Sequence, residues 1–589
     1  MSEVLVSTDN RMERRVKFLV VMMILGFLVI AFKLFSLQII HHDEYVALAD
    51  NEQIKRLEIP AKRGLIYMMN GDLPTPIAMN EVVWTLFLDP KEVSEAAAVE
   101  KMINEVVPAP LMSVSEALGD KTSRYKVLAK NLSRKQAEAI KKQNLKGVGL
   151  QETTRRVYPE GGLAAQTLGF VNGEAKGQYG AEEAFNERLS GKDGVLQTVT
   201  DVNSVPLTIG DKNIRIPAQN GENIVLSLDR NIQAAAEKYL AAGLTQSKAG
   251  WGSVLVMNPR NGRVLAMANL PSYNPEKYME VEDAKVFSNA ILSDPYEPGS
   301  VMKTFTMATG IDTGLATPEM TYLNKYQEVI DGHTVKNATS SLHNQTITFQ
   351  DAMNHSYNTG MINILRKLGG GEINQKAKTI LYDYFTEKFY FGQNTGIELF
   401  ETAGVVISPD NEEGSDIRYV NMGFGQGLNL SMIQVAAAFS AAINGGVYYT
   451  PTVVQGVLED GKIIENQIKP ARKDTVISKD ASQKMIDVLV KVRKFLRTGK
   501  KDSEPSGYLI GGKTGTAETI DERGLYTEEQ TIGSYIGFGG ATTPEYVIMV
   551  RVGGGYHLGG NTDADPIFTE LSKYILNYWK LIPKENNNG

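Results

Sequence analysis

The sequence predicts an α+β chain carried on one membrane-spanning helix. Three observations support this: an apolar run near the start, strand-like pairs at both ends of the second half, and helical patterns between those pairs. From Phe18 to Phe32 every residue is apolar or glycine, and after Lys33 the apolar character resumes through Ile40. A helix from about Val16 to Ile39 would cross a hydrocarbon core of about 30 Å, with Lys33 snorkelling to the surface. Arg11, Arg14, Arg15 and Lys17 precede it, while His41, His42, Asp43 and Glu44 follow. That asymmetry keeps residues 1–15 cytoplasmic and exports the remainder. A cleaved signal peptide fits less well, because the small-x-small run Ala47-Leu48-Ala49 lies too far beyond the apolar segment.

After this anchor (residues 16–39), residues 45–220 mix short strand-like runs with polar helix-forming stretches such as Ser133 to Lys142. No cluster of catalytic type occurs there, which suggests a pedestal for interaction. Residues 221–582 differ in character, and 583–589 form an Asn-rich tail. Ile224 to Leu228 reads as a strand, and Asp229 is placed to cap a helix running through Leu240. Ser253–Met257 and Arg263–Ala268 bracket Asn258-Pro-Arg-Asn-Gly262, a hairpin turn. Gly533–Gly539 and Tyr546–Val552 bracket Thr542-Thr-Pro-Glu545 in the same way. Helical patterns such as Ser431 to Ile443 lie between, so the late strands must return to the early ones to close a sheet.

Composition removes several function classes. A net charge of -7 argues against nucleic-acid binding through phosphates. The chain has no cysteine, which excludes thiol nucleophiles, disulfides and Cys-ligated zinc. None of the six histidines forms a metal-binding pattern, and no cofactor motif appears.

Three strings carry chemistry. In Ser300-Val-Met-Lys303, after the turn formers Pro298 and Gly299, the lysine three residues on shares a helical face with the serine. A serine needs a base to become a nucleophile, and a lysine serves only if burial or a neighbouring cation lowers its pKa. In Ser356-Tyr357-Asn358 the hydroxyl suits a proton relay, and the amide suits a substrate carbonyl and Lys303. In Lys513-Thr514-Gly515-Thr516, on a strand-like stretch from about Tyr508, the lysine offers fixed charge and the glycines admit a substrate backbone. Each string is weak alone. A Ser-x-x-Lys pair arises by chance about twice in a chain this long, and Ser123-Arg-Tyr-Lys126 and Ser272-Tyr-Asn274 repeat two of the patterns without support. Order and spacing across some two hundred residues are what give the set its weight.

In that order the strings resemble the penicillin-recognising serine enzymes. Further runs are similar to their class B penicillin-binding branch, division type: Arg63-Gly64-Leu65-Ile66 with Asn80, Tyr158-Pro159, Gly177 to Glu182, and Gly423-Phe-Gly-Gln-Gly427. Tyr67-Met68-Met69 departs from the acidic-basic pair usual after Arg-Gly. The resemblance implies an elongated pedestal followed by a serine β-lactamase-like transpeptidase domain, a mostly antiparallel sheet packed by helices. It implies a peptidoglycan D,D-transpeptidase that acylates Ser300 with a stem peptide ending in D-Ala-D-Ala, with Lys303 as base and Ser356 as proton shuttle. Asn358, Lys513, Thr514, Gly515 and Thr516 would bind substrate, and β-lactam antibiotics would trap the acyl-enzyme. No metal or cofactor is implied. Glycan polymerisation would fall to a separate membrane glycosyltransferase of the FtsW/RodA type. A β-lactamase shares the strings but has no use for an anchored pedestal. A β-lactam sensor or non-catalytic division scaffold is the rival of a different class, and an elongation-type transpeptidase the rival within the family.

Overall fold

The structure is a computed structural model that describes residues 10–45, 54–199, 214–465, 475–500, 504–520 and 526–584. The described residues fall into two compact units, one from 1–62 with 190–221 and one from 63–189 with 222–589. In the first, α1 (Asn10–Phe35) continues through a single wide turn, Ser36–Ile40. The stretch Glu13–Ile40 is long and apolar enough to cross a membrane, and it begins earlier than the sequence implies. This unit also holds a three-stranded antiparallel sheet of Ile54–Ile59, Gly194–Val199 and Ile214–Ile216.

The second unit contains two large sheets. In the first sheet, Leu73–Leu88 pairs with Ile66–Asn70, Lys126–Leu132 and Val148–Val157. Ile224–Asp229 joins the same sheet, parallel to Ile66–Asn70 and antiparallel to Val454–Glu459. Its side chains are buried on both faces, as expected for a strand with neighbours on both sides. The run Ile224–Leu228 thus belongs with the pedestal strands, not with the sheet that bears the catalytic strings.

That second sheet is entered through α2 (Arg230–Ser247), whose first amides are capped by Asp229 at 2.8 and 3.0 Å. In chain order follow β1 (Trp251–Met257), β2 (Val264–Leu270), α3 (Lys303–Asp312), α4 (Phe349–His355), α5 (Asn358–Gly369), α6 (Met432–Ile443), α7 (Lys479–Arg497), β3 (Leu509–Ile520), β4 (Tyr526–Gly540), β5 (Tyr546–Gly553) and α8 (Asp565–Tyr578). The sheet order is β2-β1-β5-β4-β3, all antiparallel. The late strands therefore close onto the early hairpin, and β3 is an edge strand. Alternate residues feed two cores. Val254, Val256, Ile548 and Val550 face Ile232, Leu240, Ile567 and Leu571 of α2 and α8. Leu255, Met257, Val547 and Met549 face the helical lobe that contains α3 to α7. The β1–β2 turn is held by Asn258 and Asn261 side chains, which accept from Arg260 N and Arg263 N at 2.9 and 3.0 Å.

In the pedestal part of this unit, Arg63, Asn80, Arg156 and Glu182 converge. Glu182 is fully buried and pairs with Arg63 at 2.6 Å and Arg156 at 2.7 Å. Arg156 also donates to Gly64 O and Asn80 Oδ1, at 2.8 and 2.9 Å. The runs singled out in the sequence as pedestal motifs are the components of one buried ion cluster.

Candidate active site

The turn before Ser300 is fixed by close backbone packing. Gly299 has φ +58, and a side chain there would meet Thr516 O at 2.4 Å. Gly425 lies on its other side, where a Cβ would stand 1.9 Å from Gly299 O, and Gly299 N donates to Gly425 O at 3.0 Å. Glu297 Oε1 accepts from Gly427 N at 2.7 Å. The Gly423–Gly427 run thus buttresses the nucleophile turn, a role its glycines did not reveal in sequence. Gly515 admits the turn from the sheet side, since a Cβ there would meet Pro298 O at 2.6 Å. Ser300 itself is half-buried in a short tight helix, Gly299–Met302, which leads into α3 rather than lying within it.

Lys303 opens α3 and is fully buried. Its Nζ donates to Ser356 O at 2.5 Å and Ser356 Oγ at 3.3 Å. Ser356 sits between α4 and α5 with φ 58 and ψ 39, a left-handed conformation that a serine holds only when its surroundings impose it. Lys513, on β3, donates to the same Ser356 Oγ at 2.8 Å and to Thr514 O and Oγ1 at 3.1 and 3.4 Å. The three strings therefore meet at one hydroxyl. Burial drives the Lys303 ammonium well below the ordinary lysine range, and the positive charge of Lys513 drives it further. Burial lowers Lys513 to about 7.

Asn358 is placed differently from the sequence reading. Its amide donates to Lys336 O at 3.0 Å, and the oxygen atoms taking the Lys303 donors are those of Ser356. Asn358 begins α5, and its amide reaches the Lys336 strand from there. Thr514 is half-buried and Thr516 exposed, and Thr516 Oγ1 accepts from Gly560 N at 3.4 Å. Beyond Thr516, Ala517 and Thr519 border a cavity of about 460 Å³ shared with Tyr296, Glu297, Ile407 and Arg418.

The two repeated patterns are inert. Ser123 Oγ donates to Tyr125 O at 3.0 Å, and Lys126 pairs with Asp120 at 2.7 Å. Asn274 caps the short helix Pro275–Glu280. No group of His, Asp or Glu side chains suited to a metal occurs among the described residues.

The arrangement has known counterparts. Residues 252–573, more than half of the chain, match the penicillin binding protein transpeptidase domain, and residues 58–226 match the penicillin-binding protein dimerisation domain. Stage V sporulation protein D of Bacillus subtilis is 28% identical over 581 residues, covering 97% of this chain and 87% of that protein. Peptidoglycan D,D-transpeptidase FtsI of Escherichia coli K12 is 26% identical over 571 residues, covering 94% and 90%. The crystal structure of penicillin binding protein 2X from Streptococcus thermophilus superposes with a TM-score of 0.70 at 21% identity, over 89% of this chain and 80% of that one. A dimerisation-type domain precedes a sheet whose edge strand and two helical strings share one hydroxyl, and the chain belongs to the penicillin-binding protein transpeptidase family.

Proposed function

We propose that this protein is a class B peptidoglycan D,D-transpeptidase, with 16–39 as anchor, 45–220 as pedestal and 221–582 as catalytic domain. The observation that carries the reading is the convergence of Lys303, three residues after Ser300, and Lys513 on Ser356 Oγ. Two ammonium groups so close do not both stay charged, and the lysine burdened by its neighbour's charge is Lys303. Lys303 is then a neutral amine that accepts the Ser300 proton.

Ser300 Oγ attacks the carbonyl carbon of the penultimate D-alanine, and its proton passes to Lys303. Backbone amides of Ser300 and Thr516 hold the developing oxyanion, an arrangement worth about 3 kcal/mol per donor in other enzymes. The packing of Gly299 against Thr516 supports this pairing, because it brings the two amide-bearing segments together. The proton returns through Ser356 to the leaving nitrogen, and the terminal D-alanine departs. An amine of a second stem peptide then attacks the ester, forms the cross-link and restores Ser300. Lys513, Thr514 and Thr516 receive the terminal carboxylate, Gly515 lets the strand approach, and Asn358 holds the substrate amide. β-lactams acylate Ser300 by the same route. The positive residues in the first turns of α1 support a cytoplasmic N-terminus, and a separate FtsW/RodA-type polymerase supplies the glycan. Septal synthesis is the favoured setting, given the FtsI relative.

Full-length protein with a synthetic stem peptide ending in D-Ala-D-Ala and an acceptor amine should release D-alanine and form a cross-linked product, and Ser300→Ala should do neither. Acylation by penicillin with no cross-linked product would favour a sensor.

A further inference from the structure

The charged cluster behind β3 belongs to none of the three strings. Arg493 of α7 is 1% exposed and pairs with Asp565 of α8, itself fully buried, and with Glu504. It also donates to Thr569 Oγ1 at 2.8 Å and to Tyr535 OH at 3.0 Å. Its guanidinium lies 5.1 and 5.0 Å from the ring centroids of Tyr535 and Phe568. Arg497 and Lys500 reach Asp565 as well, at 3.3 and 3.0 Å. So many desolvated charges make a poor stability device, because apolar packing of similar volume often serves as well or better.

Their placement suggests another use. Tyr535 stands on β4 opposite Thr514. Its hydroxyl fills the space that a side chain at position 512 would take, since a Cβ on Gly512 would lie 2.3 Å from it. A continuous line of contacts therefore runs from Asp565 through Arg493 and the Tyr535 hydroxyl to the backbone of Gly512, the residue before Lys513. On the other face, a Cβ at Gly511 would come within 3.1 Å of the Leu489 carbonyl carbon of α7. One helix thus grips β3 from both faces immediately before the string that starts at Lys513. β3 has a neighbouring strand on one side only, so contacts from its faces and its free edge help to fix its position. The same helix touches α4, which leads into the second string: Phe495 packs on His355 with ring centroids 4.6 Å apart, and Val488 O accepts from Gln350 at 3.3 Å.

We propose that Arg493 is a positioning residue for the carboxylate-binding part of the site, fixing through Tyr535 and Gly512 where Lys513 Nζ and Thr514 Oγ1 stand. The inference rests on the acyl-transfer reading above. A group displaced by about 1 Å costs up to about a hundredfold in rate, so the effect should be measurable. It should also be selective: a free carboxylate makes contacts with Lys513 and Thr514 that an ester lacks, beyond the influence of Lys513 on Lys303 and Ser356 that both donors share.

The test measures acylation of full-length protein by benzylpenicillin and by its methyl ester, for wild type, Arg493→Met and Tyr535→Phe, beside thermal melts. Arg493→Met should lower the rate with the free acid about tenfold and the ester rate by a smaller factor, so that the acid-to-ester ratio falls. Tyr535→Phe keeps the ring and removes only the hydroxyl over Gly512. It should shift the acid-to-ester ratio in the same direction by about threefold, and it decides the matter if Arg493→Met does not fold. An unchanged ratio in Tyr535→Phe, or acid and ester rates falling together in folded Arg493→Met, overturns the proposal and leaves the cluster a tie between α7 and α8. Failure of the wild type to acylate at all would sink the acyl-transfer reading itself, and this inference with it.

Discussion

Lys303 and Lys513, 210 residues apart in sequence, donate to the same oxygen, Ser356 Oγ, at 3.3 and 2.8 Å. Each is buried, and nothing anionic is bonded to either ammonium among the described residues. The pair is therefore stable only with one proton fewer than two free lysines would carry. Catalysis and instability have a common origin here.

The first consequence concerns the base. Lys303→Met keeps the buried stem but removes the amine, so the fold should survive. Acylation by penicillin should fall by about 10³, within the range for loss of a general base. Stopped-flow acylation beside a thermal melt checks this, and a fall below tenfold would assign the base elsewhere.

The second concerns pH. The second-order acylation constant reports groups of the free enzyme. It should fall toward acid as Lys303 gains a proton and ceases to be a base. It should fall toward alkali as Lys513 loses its proton, near 7 rather than the ordinary lysine value. A rate that stays flat up to pH 9 would contradict the assignment of the charge to Lys513.

The third is a stability effect of opposite sign to the activity effect. Lys513 titrates at about 7 when folded and at about 10.4 when unfolded. Between those values the unfolded chain binds more protons, so the unfolding free energy rises as pH rises through that window. The destabilisation is complete below 7 and gone above about 10.4. Lys513→Met should therefore melt higher than wild type at pH 7, and the difference should shrink by pH 10. Lys303, depressed in the same direction, keeps some slope in the variant.

The fourth separates strain from collision in the glycine-rich buttress. Gly425→Ala puts a Cβ 1.9 Å from Gly299 O at φ +98. It should cost about 1–3 kcal/mol and slow acylation at least tenfold by moving the Ser300 turn. Gly445→Ala, at φ +94 with Lys479 Cγ 3.8 Å from the added Cβ, should carry the strain alone. Acylation by its folded fraction should match wild type.

The fifth lies in the pedestal part. Glu182→Gln leaves Arg63 and Arg156 without their buried counter-charge and should lower stability by about 3–5 kcal/mol. Chemical unfolding measures the loss.

What was legible in the sequence follows from the range of each signal. The hairpin around Asn258 and Gly262, the Asp229 cap and the apolar anchor depend on neighbours within a few residues, and all three are present, the anchor helix beginning a few residues earlier than the pattern puts it. The three strings were legible through their order. The strand Ile224–Asp229 stands where the sequence reads it, but its partner was not legible because the pairing with Ile66–Asn70 spans some 150 residues and a fully buried run does not name a partner. The bond from Asn358 to Lys336 O was not legible because the direction of that side chain depends on where α5 begins. Arg493 left no signal at all: an arginine on an amphipathic helix reads as solvated until Asp565 and Tyr535 are seen around it.

The most direct test is to locate the acyl group. Full-length protein treated with penicillin, digested and mapped by mass spectrometry should carry one adduct, on the peptide containing Ser300. The adduct should be lost in Ser300→Ala and kept in Ser123→Ala. An adduct on any other residue, or one that persists in Ser300→Ala, would contradict the account.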